Sequence, residues 1–180
     1  MHELTQEELK QHLSYDPETG IFIRLKSGWS TRVGKPAGTY DTKGHLQAKI
    51  NGRLHLLHRL AWLYVHGEWP ALQIDHINGV KDDNRIANLR LATARQNSQN
   101  RRRAQSDNKS SGLLGVSFDR RMGKYFGQII NRGSRKFLGY FDDPDLAHEA
   151  YLKAKANLHE FGEIASKYRV PAAGEMRDAA

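Results

Sequence analysis

The chain has 180 residues, 38% of them hydrophobic, enough for one modest domain or two small ones and too few for a large multidomain enzyme. Lysine and arginine total 28 against 20 aspartates and glutamates, a formal charge of +8 that favours a polyanionic partner, nucleic acid first. The absence of cysteine excludes disulfides and thiolate zinc sites, and no apolar run approaches the roughly 18 residues of a membrane span, so a soluble, cytoplasmic protein with no membrane partner is expected.

Leu4, Leu9 and Leu13 recur at near-helical spacing, with Thr5 as N-cap and Glu8 completing a capping box, which predicts a short opening helix. Residues 15–20 (YDPETG) read as a turn. Ile21, Ile23 and Leu25 then alternate with Phe22, Arg24 and Lys26, as in a strand. The segments 44–50 and 53–57 flank Asn51-Gly52, the two-residue connection of a hairpin with a primed turn. From His58 to His66 the pattern sets Leu60, Leu63 and Tyr64 on one helical face, and Gly67 to Pro70 stop it. A short strand with Leu72 and Ile74 follows, then a polar loop from Asn78 to Asn88, a second strand over 89–92, and a helix beginning near Thr93. The polar stretch 101–112 reads as a linker. Beyond it lie three strands, over 115–118, 124–130 and 135–140, with turns at Met122-Gly123 and Arg132-Gly133. A helix over about 144–161 completes this part, and 170–180 is a tail with little apolar pattern.

Asp75 and His76 stand at the end of an apolar strand just before Asn78-Gly79, which sets both side chains at the mouth of a turn. Asn88 and Asn97 lie on the returning strand and the following helix, so that the helix brings Asn97 back beside Asp75. Taken singly, each of these residues is as well explained as loop polarity, a cap or a surface amide. Together they form a constellation: residues 74–79 (IDHING), 84–90 (NRIANLR) and 93–97 (TARQN) closely resemble the HNH endonucleases, particularly the homing enzymes of phages and introns. Residues 58–62 (HRLAW) and 67–70 (GEWP) are similar to the segment leading into that motif, and the resemblance spans about 15–103.

The resemblance implies a ββα-metal fold at about 72–103, preceded by the hairpin and helix, with His76 as general base, Asp75 and Asn97 as metal ligands, and Asn88 tying the loop together. The family's last histidine is here Asn97, whose amide oxygen is a hard ligand suited to Mg²⁺ or Mn²⁺. His55, His58 and His66 are read as core or surface residues outside the catalytic set.

Residues 111–162 resemble the apetala-two, or ethylene-response-factor, DNA-binding domain in 115–118 (GVSF), 123–125 (GKY), 137–141 (FLGYF) and 147–151 (AHEAY). That family lays a three-stranded sheet into the major groove with one helix behind it. By the resemblance Ser117, Asp119, Phe126, Gln128, Ile130, Arg135 and Phe137 face DNA, Val116, Phe118, Tyr125, Ile129 and Leu138 face the helix, and Arg120, Arg121, Lys124 and Arg132 serve the phosphates. Arg101, Arg102 and Arg103 add a sequence-independent phosphate contact.

The expectation is therefore an α+β protein: an HNH nuclease domain over 1–103, a linker over 104–112, an apetala-two-like module over 113–169 and a tail over 170–180. Its function is metal-dependent, strand-nicking cleavage of double-stranded DNA with no small-molecule cofactor. Phage origin and action in a host cell follow from the resemblance alone. A non-catalytic DNA-binding regulator retaining the nuclease fold is the alternative, and the residues leave monomer and homodimer both open.

Overall fold

Thr5 and Glu8 open the first helix by exchanging hydrogen bonds: Glu8 N–H donates to the Thr5 hydroxyl at 3.2 Å and Thr5 N–H to the Glu8 carboxylate at 3.0 Å. In this computed structural model, which describes residues 3–27, 32–101, 104 and 108–159, helix α1 (Gln6–His12) buries Leu9. It runs directly into β1 (Leu13–Tyr15), antiparallel to β2 (Phe22–Arg24). Tyr15, expected to begin a turn, is instead the last residue of β1. The alternation over 21–26 is present, but Phe22 is its buried member, while Ile21 and Leu25 are exposed. Phe22 lies opposite Tyr15 in register, and their rings, 4.5 Å apart, fill the space under Tyr64.

Strands β3 (Thr39–Tyr40), β4 (Leu46–Ile50) and β5 (Arg53–Leu56) form an antiparallel sheet in that order. The β4–β5 turn is the expected primed one, with Asn51 at φ 47° and Gly52 at φ 80°. Helix α2 (Leu57–His66) follows without a loop and ends at Gly67 in the left-handed conformation. Its Leu57, Leu60, Ala61 and Leu63 join Leu9, Leu13, Phe22, Ala48 and Ile50 in one core. Strand β6 (Gln73–His76) pairs antiparallel with β7 (Leu89–Ala92), across a loop that closes in a 3₁₀ turn over Ile86–Asn88. Helix α3 (Ala94–Gln99) opens with a second reciprocal cap: Gln96 N–H donates to the Thr93 hydroxyl, and the Gln96 side-chain oxygen accepts Thr93 N–H at 2.8 Å. The strand, loop, strand, helix order anticipated for the nuclease is thus present.

The chain divides into two compact units, Met1–Asn97 and Ser98–Ala180. In the second, β8 (Val116–Asp119), β9 (Lys124–Asn131) and β10 (Ser134–Phe141) form an antiparallel sheet with β9 central, and α4 (Pro144–Leu158) packs on one face. Val116, Ile129, Ala147 and Tyr151 form the buried layer between them. Gly115 is obligatory there, because a Cβ at that position would overlap the Tyr151 ring. Part of the stretch read as linker is built into this unit. Asn108 donates its amide hydrogens to the carbonyls of Leu113 (2.9 Å) and Val116 (3.1 Å), so side-chain bonds supply the order that apolar packing does not. The tail over 170–180 lies outside the described residues.

Candidate active site

Strand β6 carries Asp75 and His76 as neighbours, so their side chains leave opposite faces of the β6–β7 ribbon. On one face Arg90, directly across from Asp75 in register, grips the carboxylate with Nε at 2.8 Å and Nη2 at 2.7 Å, both on Oδ2. Further along the same face Asn97 of α3 donates its amide nitrogen to Gln73 Oε1 at 3.0 Å. Asn97 is therefore tied to the residue two before Asp75, on the Asp75 side. That bond engages the amide nitrogen, the atom unable to ligate a cation, and orients the oxygen.

On the other face His76 Nε2 lies 3.3 Å from Asn84 Oδ1. Because that oxygen only accepts, a hydrogen bond here takes the ring's Nε2–H as its donor. Two further imidazoles close over the ring: His58, edge-on at 5.1 Å between centroids, and His45 at 6.0 Å. His58 Nδ1 is buried with no hydrogen-bond partner. Burial, reinforced by His76 and His45, pushes His58 down to about 3, so it is neutral at working pH. Burial likewise lowers His76 from its ordinary value, with Asn84 opposing the shift.

At the mouth of the turn the pair is buried. Asp75 is 4% and His76 6% exposed, because the loop after β6 folds back over the strand end. Asn88 is the clasp. Its side-chain oxygen accepts Asn78 N–H at 2.9 Å, its amide donates to Asp83 O at 2.8 Å, and its carbonyl accepts Ile77 N–H at 2.8 Å. It sits at the end of the 3₁₀ turn, one residue before the strand on which the sequence had put it. The loop is pinned from outside as well, by Tyr15 Oη to Asn84 O (2.7 Å), Tyr40 Oη to Asp82 (2.7 Å) and Lys81 Nζ to Lys43 O (2.6 Å).

Asn84, His45 and Arg90 were not singled out from the sequence, and His58, read there as a core or surface residue outside the catalytic set, is buried against His76. Arg90 was recoverable from strand register, since a hairpin aligned on Asp75 and His76 puts it opposite. His45 and His58 come from a different sheet and helix, and no local signal joins them to His76.

For a divalent ion, Asp75 and Asn97 offer oxygen donors of the hard kind. Among the described residues no group of three or more His, Cys, Asp and Glu could hold a metal by itself. Two such donors leave most of a divalent ion's shell to water and substrate oxygens.

In the second unit Ser117, Asp119, Lys124, Phe126, Gln128, Ile130, Arg135 and Phe137 share the sheet face away from α4, while Val116, Tyr125, Ile129 and Leu138 lie on the helix side. Phe118 is on the helix side by register, packed on Tyr125, yet at the margin and partly exposed. Arg120 and Arg121 occupy the β8–β9 turn and Arg132 the β9–β10 turn, all exposed. Arg101, expected to follow the catalytic helix, lies beyond the end of α3, and its carbonyl accepts Lys155 Nζ at 2.6 Å. Arg102 and Arg103 lie outside the described residues.

A family model described as HNH endonuclease matches residues 55–99, the segment from β5 through α3 that contains Asp75, His76, Asn88 and Asn97. No curated protein matches. A solved structure described as DNA binding and cleavage by the HNH homing endonuclease I-HmuI is 22% identical, covering 91% of this chain and 88% of that one with a TM-score of 0.39. Nucleases of the HNH family work with a divalent metal. Residues 55–99 are an HNH endonuclease domain, and the chain is an enzyme of that class, a phosphodiester hydrolase.

Proposed function

We propose that the chain is a homing-type endonuclease that nicks double-stranded DNA, with His76 as general base, Asp75 and Asn97 holding Mg²⁺ or Mn²⁺, and the open sheet face of the second unit locating the site. The observation that carries this reading is the division of labour across β6: a neutral imidazole on one face, a carboxylate and an amide oxygen on the other, and Asn88 fastening the loop between them.

Neutral His76 accepts a proton from water as that water attacks phosphorus. A ring lowered by burial keeps its lone pair at neutral pH, and Asn84 steadies the imidazolium that forms by opposing the shift. Bound at Asp75 and Asn97, the ion would supply charge neutralisation at the phosphate and the leaving 3′ oxygen. Arg90 fixes the orientation of the Asp75 carboxylate before any ion arrives. The 6% exposure of His76 means that a phosphodiester reaches it only when the side chains over the ring give way, so binding and site opening are linked.

Binding in the second unit uses Arg120, Arg121, Lys124, Arg132 and Arg135 for phosphates, and Ser117, Phe126, Gln128 and Phe137 for base edges, with Arg101, Arg102 and Arg103 adding sequence-independent attraction. One centre per chain cuts one strand per encounter. The test is a time course on supercoiled DNA at low enzyme with Mg²⁺ or Mn²⁺. Open circles should accumulate before linear product, with 5′-phosphate ends that a ligase reseals. Linear product appearing without a nicked intermediate from monomeric enzyme would refute nicking.

A further inference from the structure

The open face of the β8–β9–β10 sheet is aromatic where a phosphate- or guanine-reading surface would be cationic. Phe137 lies opposite Gln128 in register, and Tyr140 opposite Phe126. Simple alternation would turn Tyr140 toward α4. A register shift between Phe137 and Gly139 brings it to the open side instead, so that Phe137 and Tyr140 sit 5.1 Å apart at 65°. Phe126 completes a trio at 6.3 and 6.2 Å from the two. Phe137 is 54% and Tyr140 42% exposed, and Ile130 beside Arg135 is more exposed still.

Charge surrounds this patch at its edges. Arg120 and Arg121 rise from one turn and Arg132 from the other, which suits an anionic partner and disfavours an apolar protein surface. Asp119 adds one negative charge, its carboxylate accepting from Arg121 N–H at 2.9 Å and Tyr140 Oη at 2.9 Å, and the neighbouring Arg121 guanidinium opposes it. Three strands span about 10 Å, within the roughly 12 Å width of a major groove.

In that groove the only apolar group on a base edge is the thymine C5 methyl, and the side-chain amide is the group matched to adenine N6 and N7. We propose that this face selects A·T-containing duplex sites through the major groove, with Phe126, Phe137 and Tyr140 against thymine methyls and Gln128 on adenine. The inference rests on the reading that the second unit binds duplex DNA. Over G·C pairs the same rings would cover polar edges without pairing them, which costs affinity. Arg135 is the face's one guanidinium, so guanine readout is confined to its end of the sheet.

The experiment measures binding of the full chain, in chelator and at fixed salt, to an A·T-rich duplex, the same duplex with uracil for thymine, a G·C duplex, its 5-methylcytosine version, and the single strand. Uracil removes the methyls and leaves the pairing intact. Affinity should fall about three- to fourfold for each contacted methyl removed, the equivalent of about 0.8 kcal/mol, and 5-methylcytosine should recover part of the loss on G·C. In Phe137→Ala, an exposed position whose change leaves the core intact, the thymine-over-uracil ratio should fall toward one, and Phe126→Ala should act in the same direction. Equal affinity for thymine and uracil duplexes, a ratio unchanged in both variants, or preference for the single strand would overturn the inference while leaving DNA binding by the chain in place. Binding to none of the DNAs would instead overturn the DNA-locating reading and this inference with it.

Discussion

Two residues in the nuclease unit are buried in states that folding enforces. His58 is held neutral, down to about 3, and His76 is lowered in the same direction, whereas in the unfolded chain both titrate near 6.5. Between about 3 and 6.5 the unfolded chain binds a proton at His58 that the folded chain does not, so this stability is fully present above pH 6.5 and is lost as pH falls toward 3, and the lowering of His76 acts in the same direction. Urea midpoints measured from pH 7.5 to 4.5 should fall steadily on the acid side, and the slope should shrink in His58→Gln. A midpoint flat across that range would contradict the burial account. Arg90 offers a second test. Removing it takes both guanidinium contacts from a buried carboxylate, so Arg90→Ala should cost about 3–5 kcal/mol in chelator. If Asp75 also ligates a cation, millimolar Mn²⁺ should raise the melting temperature of Arg90→Ala more than that of the parent. Asp75, His76 and Asn97 were legible in the sequence because the motif spacing is local. The His45 and His58 rings over His76 were not, since they arrive through packing of α2 and the β3–β4 hairpin.

At the scale of elements, the loop between β6 and β7 is a structure in its own right, clasped from within by the Asn88 amide and pinned from outside by Tyr15, Tyr40 and, through Lys81, the Lys43 carbonyl. Asn88→Ala would leave Asn78 N–H and Asp83 O without their partner in a largely buried place, a loss of about 2–3 kcal/mol. Cleavage should fall further than stability, since Asn84 and His76 lose their register together. Asn88→Asp keeps the acceptor and loses the donor, so its melting temperature should lie between the two. In the second unit Gly115→Ala combines a left-handed backbone with overlap on Tyr151, and should cost about 2–4 kcal/mol in a denaturant titration. Hairpins, caps and strand order here were readable from sequence, because turn chemistry and capping boxes act within a few residues. The open-face position of Tyr140 was not, because a bulge inverts alternation without marking the composition.

For the whole molecule, the proposed function has a basic chain, with a nuclease unit and a second unit whose sheet face is open among the described residues, hold phosphodiesters by charge and cut them at one centre. Binding should weaken steeply with salt, the logarithm of affinity falling linearly with the logarithm of salt concentration, and Arg135→Ala should reduce the slope by about one if that guanidinium meets a phosphate. The decisive measurement is conversion of supercoiled DNA to open circles at low salt with Mg²⁺ or Mn²⁺, comparing parent enzyme, parent with chelator, and His76→Ala confirmed as folded by its melting curve. The account predicts nicking by the parent that vanishes with chelator and falls at least about a hundredfold in the variant. A folded His76→Ala protein that nicks at the parent's rate, or a parent whose cutting ignores the chelator, would contradict it.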